Sequence, residues 1–370
     1  VKVDTMIIEH HFGRIRRKAK RRFSLLVISF VFCAILLVMI QLAGCASSEI
    51  GERGEGDILL DMPILEELEE KVDVSRMLKD VSFLSSEEMR GRPAGSVPNE
   101  EIARFIEEVF RGLELQSFGQ LGLEGFRQEF QVPSSRCFLE NPPEKEELLT
   151  VPNIIGVIPG KQDPNFYVVF AANFDGMGVN PQSGEDYPGA DYNATGASAV
   201  LELARVISSL KEPPPVSMVF ALLNAEECGY FGSRALAEAV ERKGLKGRIA
   251  VVYLEGLGGG SGDYMDLWDQ NYRKNQSMAT AIKESAAHLG VALEVNGINE
   301  GSSGAIFFLY HLPCVICDWS WFERSEHADY HQVTDTAEKI NPQGMRKVTQ
   351  VAGMAGYLVG MRIADGVNHI

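Results

Sequence analysis

Residues 216–233 read VSMVFALLNAEECGYFGS. A mostly apolar run ends at Leu223, and two adjacent carboxylates follow, Glu226 and Glu227. A glycine turn then leads into a helix-like segment. Acids placed at the end of a buried strand cost solvation free energy unless a cation meets them. A divalent metal carrying a water molecule is the usual cation.

Working outward, the same alternation recurs on both sides. Residues 153–158, 166–172, 216–223, 249–254 and 312–317 are short apolar strands, the fourth ending at Glu255. Between and after them, residues 194–210, 232–242, 276–289 and 342–363 carry helical periodicity. In the first of these helices Val200, Leu201, Leu203, Ala204 and Ile207 fall on one face. Upstream, residues 75–88 and 99–113 are helical and flank the loop GRPAGS at 91–96, and residues 126–132 alternate as an edge strand does. Strands alternating with helices predict an α/β fold with a largely parallel central sheet covered on both faces.

The first part of the chain has another character. Residues 14–22 read RIRRKAKRR, and residues 23–43 are mostly apolar, long enough to span a bilayer. A basic segment followed by an apolar one is an export signal or anchor, with the basic flank held in the cytoplasm. Leu42-Ala43-Gly44-Cys45 resembles the lipobox of bacterial lipoproteins, in which the signal is removed and the cysteine, here Cys45, is lipidated. The expected organisation is a leader over 1–44, a tether and spacer over 45–74, and one large domain over 75–370. The rest of the chain is then exported and tethered to membrane by the lipid or the N-terminal anchor.

The whole chain carries a net charge of −16. The leader holds eight basic and two acidic residues, so the remainder carries 27 basic and 49 acidic residues, a net of −22. Such a surface excludes nucleic acid as a partner, which needs a basic footprint. Cys314-Val-Ile-Cys317 has a redox spacing but sits in the apolar run LPCVICDW, which reads as a buried strand. The glycine-rich stretch 256–262 lacks the spacing of a nucleotide loop. Asn193-Ala194-Thr195 is a formal glycosylation sequon to which no role is assigned.

In α/β sheets ligands bind beyond the carboxyl ends of the strands. Asn173-Phe174-Asp175, Asp191-Tyr192-Asn193, Glu226-Glu227 and Glu255 fall at or near such ends, and Tyr330-His331 precedes the last helix. With GRPAGS at 91–96, NIIG at 153–156, GADYNATGASAVLELAR at 189–205, NAEECGYFGS at 224–233 and Asp335-Thr336, this array resembles the M28 family of zinc metallopeptidases, mostly aminopeptidases. The resemblance implies a three-layer α/β/α sandwich around a mixed sheet. It also implies a pair of zinc ions bridged by an aspartate and a water, and the N-terminus of a peptide or protein as substrate or ligand. By position, Glu226 would be the general base, Glu227, Glu255 and His331 metal ligands, and Tyr330 a donor to the developing oxyanion.

Two positions depart from the pattern. The first ligand, a histidine in a His-x-Asp triplet, is Asn173 here, which leaves Asp175 without the imidazole it would orient. The bridging aspartate is Tyr192, a neutral and bulky phenol. Glu227 and His331 are left for one metal and Glu255 for the other, whereas a catalytic zinc takes three protein ligands and a water. One zinc or none is therefore expected, and ordinary dinuclear catalysis is expected to be lost. Asp191, beside the bridging position, and His327, four residues before His331, are candidate substitutes. Two other expectations stay open: a hydrolase with a mononuclear or rearranged site using Glu226, and a transferase resembling glutaminyl cyclase.

Overall fold

The computed structural model describes residues 62–259, 264–269, 276–297, 299–319 and 328–366. The leader, Cys45 and His327 lie outside them. Among the described residues no helix is long and apolar enough to cross a membrane.

Among the described residues there are eight helices and eight strands. The helices are α1 (Pro63–Lys71), α2 (Val74–Leu84), α3 (Val97–Gly112), α4 (Gly196–Ser208), α5 (Phe231–Arg242), α6 (Gln276–His288), α7 (Ala305–Leu309) and α8 (Pro342–Ala364). The strands are β1 (Arg127–Pro133), β2 (Leu148–Ile158), β3 (Asp163–Asn173), β4 (Val216–Leu223), β5 (Ile249–Leu254), β6 (Tyr264–Trp268), β7 (Ala292–Asn296) and β8 (Cys314–Asp318). They make one sheet in the order β1-β2-β4-β3-β5-β8-β6-β7. The inner strands β4, β3, β5 and β8 run parallel, while β1 with β2, β2 with β4, and β6 with β8 pair antiparallel. The sheet is therefore mixed around a parallel centre, as expected.

The period-two alternation of the strands divides the core. Val168, Phe170, Ala172, Met218, Phe220, Leu222, Val252 and Leu254 face a layer that holds α1–α4, α6 and α8. Tyr167, Val169, Ala171, Val219, Ala221, Leu223, Val251 and Tyr253 face α5 and α7. The long α8 comes so close to the sheet that a Cβ on Gly356 would stand 2.4 Å from Phe170 Cζ. Only glycine admits that approach. The inner strands β3, β4, β5 and β8, buried on both faces, end on the same edge of the sheet, which is where the candidate residues gather.

Three points differ from the sequence reading. The expected spacer up to residue 74 contains α1, whose Leu65 and Leu68 are completely buried in the main core, so the domain begins before residue 75. Strands β6 and β7 extend the sheet where no strand was expected, because both are short and β7 is largely exposed. The strand expected over 312–317 begins at Cys314, after the β5-pairing Pro313 carbonyl accepts from Val251 N–H.

Candidate functional site

The site is built on three strand ends, those of β3, β4 and β5, and on the loops that carry Tyr192 and His331. Beyond β4, Asn224 N–H donates to Asn153 Oδ1 at 2.9 Å, and the chain turns through Ala225 at φ 59° into Glu226. The Glu226 carboxylate folds back onto the start of α5 and accepts from Ser233 N–H at 2.5 Å through Oε1. It thereby satisfies a free donor of the helix N-terminus. Gly232 allows this tight entry, since a Cβ there would lie 2.3 Å from the Asn224 carbonyl oxygen. The second oxygen, Oε2, is buried, and a hydrogen bond from the Ser303 side chain also acts on this carboxyl. Burial pushes the Glu226 carboxyl up to about 8, with Asp175 adding to the effect. That suits a group that exchanges a proton near neutral pH.

Beyond β3, Asp175 does different work from that expected. Its Oδ1 accepts from Glu226 N–H and its Oδ2 from Glu227 N–H, both at 3.1 Å. With no imidazole before it, it braces the backbone of the Glu-Glu turn. Burial, followed by the nearby Glu227, raises its carboxyl above the usual range. Asn173 is likewise tied down. Its Oδ1 accepts from Asn193 Nδ2 at 2.8 Å and from Tyr253 Oη at 3.2 Å, and its Nδ2 is buried without a partner. Asn193 is fully buried and also donates to the Leu254 carbonyl, which closes the sequon to modification.

Glu227 meets His331, with Oε2 and Nε2 3.4 Å apart. The His331 ring stacks on Tyr330, centroids 3.9 Å apart and planes 17° from parallel. Glu255 ends β5 on the other side, where Ser302 Oγ donates to its Oε2 at 2.8 Å. Between these groups stands Tyr192. Its hydroxyl lies 3.4 Å from Glu255 Oε2, and its ring packs edge-on against Tyr330 at 4.6 Å and His331 at 5.3 Å. Burial, then Glu255, pushes the Tyr192 phenol well above its ordinary value, so it stays neutral. Burial raises Tyr330 too, which keeps its proton available for donation.

Two residues quoted in the sequence motifs acquire roles there was no local signal for. Arg92 is wholly buried, and its guanidinium donates to the carbonyls of Leu84, Phe174, Pro188 and Gly189. It joins the β3-end loop to the loop that carries Tyr192, and its positive charge acts on Asp175 and Asp335. Asp335 accepts from Asp191 N–H at 2.8 Å and Tyr192 N–H at 3.2 Å, fixing the Tyr192 backbone. Asp191, expected as a possible replacement ligand, is tied to the loop after β5: Oδ1 accepts from Gly258 N–H at 2.6 Å, and the Asp191 carbonyl accepts from Thr195 Oγ1.

The residues present do not fit two zinc ions. Tyr192 puts a neutral ring where a shared carboxylate would be needed, and Asn173 is bound into a hydrogen-bonded network. On the assignment the resemblance implies, Glu227 and His331, 3.4 Å apart, would supply two donors to one ion and Glu255 one to the other. Among the described residues no three His, Cys, Asp or Glu side chains form a group able to hold a metal ion.

An α/β/α sandwich with a paired acidic turn at the parallel strand ends defines a metallopeptidase-like class. The profile of peptidase family M28 matches residues 153–355, and the chain belongs to that family. A probable zinc metalloprotease of Pyrenophora tritici-repentis (strain Pt-1C-BFP) is 26% identical over 167 residues, 44% of this chain and 38% of that protein. The chain thus aligns with under half the length of that relative. Among solved structures, an aminopeptidase from Aneurinibacillus sp. strain AM-1 superposes with a TM-score of 0.63 at 15% identity, covering 79% of this chain and 95% of the other. A glutaminyl cyclase from Fimbriiglobus ruber gives 0.61 at 18% identity, covering 78% and 95%. These two likenesses establish the fold.

Proposed function

We propose that this protein is a membrane-tethered M28-fold receptor for the N-terminus of a peptide or protein, in which ordinary dinuclear zinc hydrolysis has been lost. The observation that carries this reading is the seat of Tyr192, packed between Glu255, Tyr330 and His331. The carboxylates of Glu227 and Glu255 attract an α-ammonium group, and the faces of Tyr192 and Tyr330 offer it cation–π contact. The tether rests on the basic and apolar leader and on Cys45.

A second reading, a mononuclear hydrolase, draws on the contact between Glu227 and His331 and on the buried Glu226 carboxyl, which burial pushes up to about 8. One experiment separates the two. The purified protein is equilibrated with zinc, its metal content measured, and hydrolysis followed on a panel of aminoacyl substrates. The receptor reading expects less than one zinc per chain, no turnover, and saturable binding of a peptide that weakens when its N-terminus is acetylated. Stoichiometric zinc with turnover abolished by Glu226→Gln establishes the hydrolase instead. In the double variant Asn173→His with Tyr192→Asp, zinc affinity is expected to rise at least tenfold, because an imidazole and a bridging carboxylate return to the donor set.

A further inference from the structure

Cys137 and Cys228 stand on different loops, 91 positions apart, yet Cys228 Sγ donates to Cys137 Sγ across 3.5 Å. Both thiols are buried in a small apolar seat made with Ala94, Val132, Val151 and Ala225. Cys137 heads the loop between β1 and β2. The base of that loop is closed by Ser134, whose N–H donates to the Glu147 carbonyl and whose Oγ accepts from Glu147 N–H. Cys228 directly follows Glu227. The next residue of the loop, Phe138, lies against the β3-end loop: a Cβ on Gly178 would come within 2.5 Å of its carbonyl oxygen. Further on, Glu140 pairs with Arg90 at 3.2 Å. The loop over 134–147 is thus held beside both turns that carry the acidic residues, and the two sulfurs are in contact where it meets the Glu-Glu turn. Cys314 and Cys317 form no such pair, since they belong to one strand and point to opposite faces of the sheet.

We propose that Cys137 and Cys228 are a disulfide-forming pair whose oxidation clamps the 134–147 loop onto the Glu226–Glu227 turn. Sulfurs already in contact need only a short approach to reach the bonded separation of about 2.05 Å. The oxidant is a disulfide donor, either an oxidised dithiol oxidoreductase or a small disulfide such as oxidised glutathione. The Cys137 thiolate attacks the donor disulfide, which forms a mixed disulfide and releases one donor thiol. The Cys228 thiolate then attacks the Cys137 sulfur and releases the second donor thiol. Two protons and two electrons pass to the donor, and one S–S bond replaces another. An exported location, expected from the leader, is where such a bond persists.

The test uses the full chain in detergent, reduced, freed of reductant and incubated with oxidised glutathione. Alkylation and non-reducing peptide mapping are expected to find Cys137 linked to Cys228. The melting temperature should rise by about 5 °C or more, as a disulfide that closes a long loop restricts the unfolded chain. Dithiothreitol should reverse the shift, and Cys137→Ser or Cys228→Ser, whichever folds, should not show it. Free alkylation of both thiols, or a glutathione adduct on Cys137 that never resolves into the cross-link, overturns the pairing. A link that forms with no change in melting temperature overturns the clamp.

Discussion

At the scale of single residues, the site is decided by side chains whose hydrogen bonds tie neighbouring loops together. Asn173 carries an amide whose oxygen is taken by Asn193 and Tyr253. Tyr192 fills volume and brings a hydroxyl that rests near Glu255. Asp175, relieved of a histidine, holds two backbone N–H groups. Arg92 is the residue on which this assembly most depends, because four carbonyls from three separate segments converge on it. Replacing it with lysine keeps the charge but removes the planar fork of donors. We expect Arg92→Lys to lower the unfolding free energy by about 3 kcal/mol, since buried carbonyls are left unsatisfied. Urea denaturation of the two proteins measures it, and an unchanged midpoint would refute the role.

At the scale of elements, α1 is the instructive case. Its sequence, PILEELEEK, is short and acidic and looks like a solvated spacer. Leu65 and Leu68, three positions apart, nevertheless share one face of the helix and disappear into the core, where Leu68 lies beside Gly353 of α8. Leu65→Ala and Leu68→Ala are each expected to destabilise the fold by about 3 kcal/mol, as buried leucine truncations do. Chemical denaturation tests this; effects below about 0.5 kcal/mol would return α1 to the tether. The strands of the parallel centre were easier to read, because burial on both faces makes them continuous apolar runs. Helix α7 and strands β6 and β7 are too short to show a period.

At the scale of the whole molecule, the acidic site is a source of pH-dependent stability. Burial raises the carboxyls of Glu226, Asp175 and Asp335 above their ordinary values of 4.5, 3.8 and 3.8. Each therefore binds its proton more tightly in the folded chain than in the unfolded one. The stability this brings is fully present below the unfolded values and is lost as pH rises through the folded ones. In metal-free protein the melting temperature is expected to fall between pH 5 and about pH 8, and Glu226→Gln should flatten the slope. Scanning calorimetry with a chelator present reads this directly. A melting temperature that rises across the same range would show that these groups are already ionised beside an unseen cation.

The sequence by itself determined the alternation of strands and helices, the acidic balance of the chain, the order of the polar clusters along it, and the identity of the residues at 173 and 192. These are local quantities, set by periodicity and residue chemistry over a few turns. Tertiary structure alone decided which groups meet. It seated Tyr192 between Glu255, Tyr330 and His331, tied Asp191 to the loop after β5, buried Arg92 beside the end of β3, and brought Cys137 against Cys228. Those encounters depend on strand order and on the path of the loops between distant segments, and a local pattern does not encode the separation in space of residues 91 positions apart.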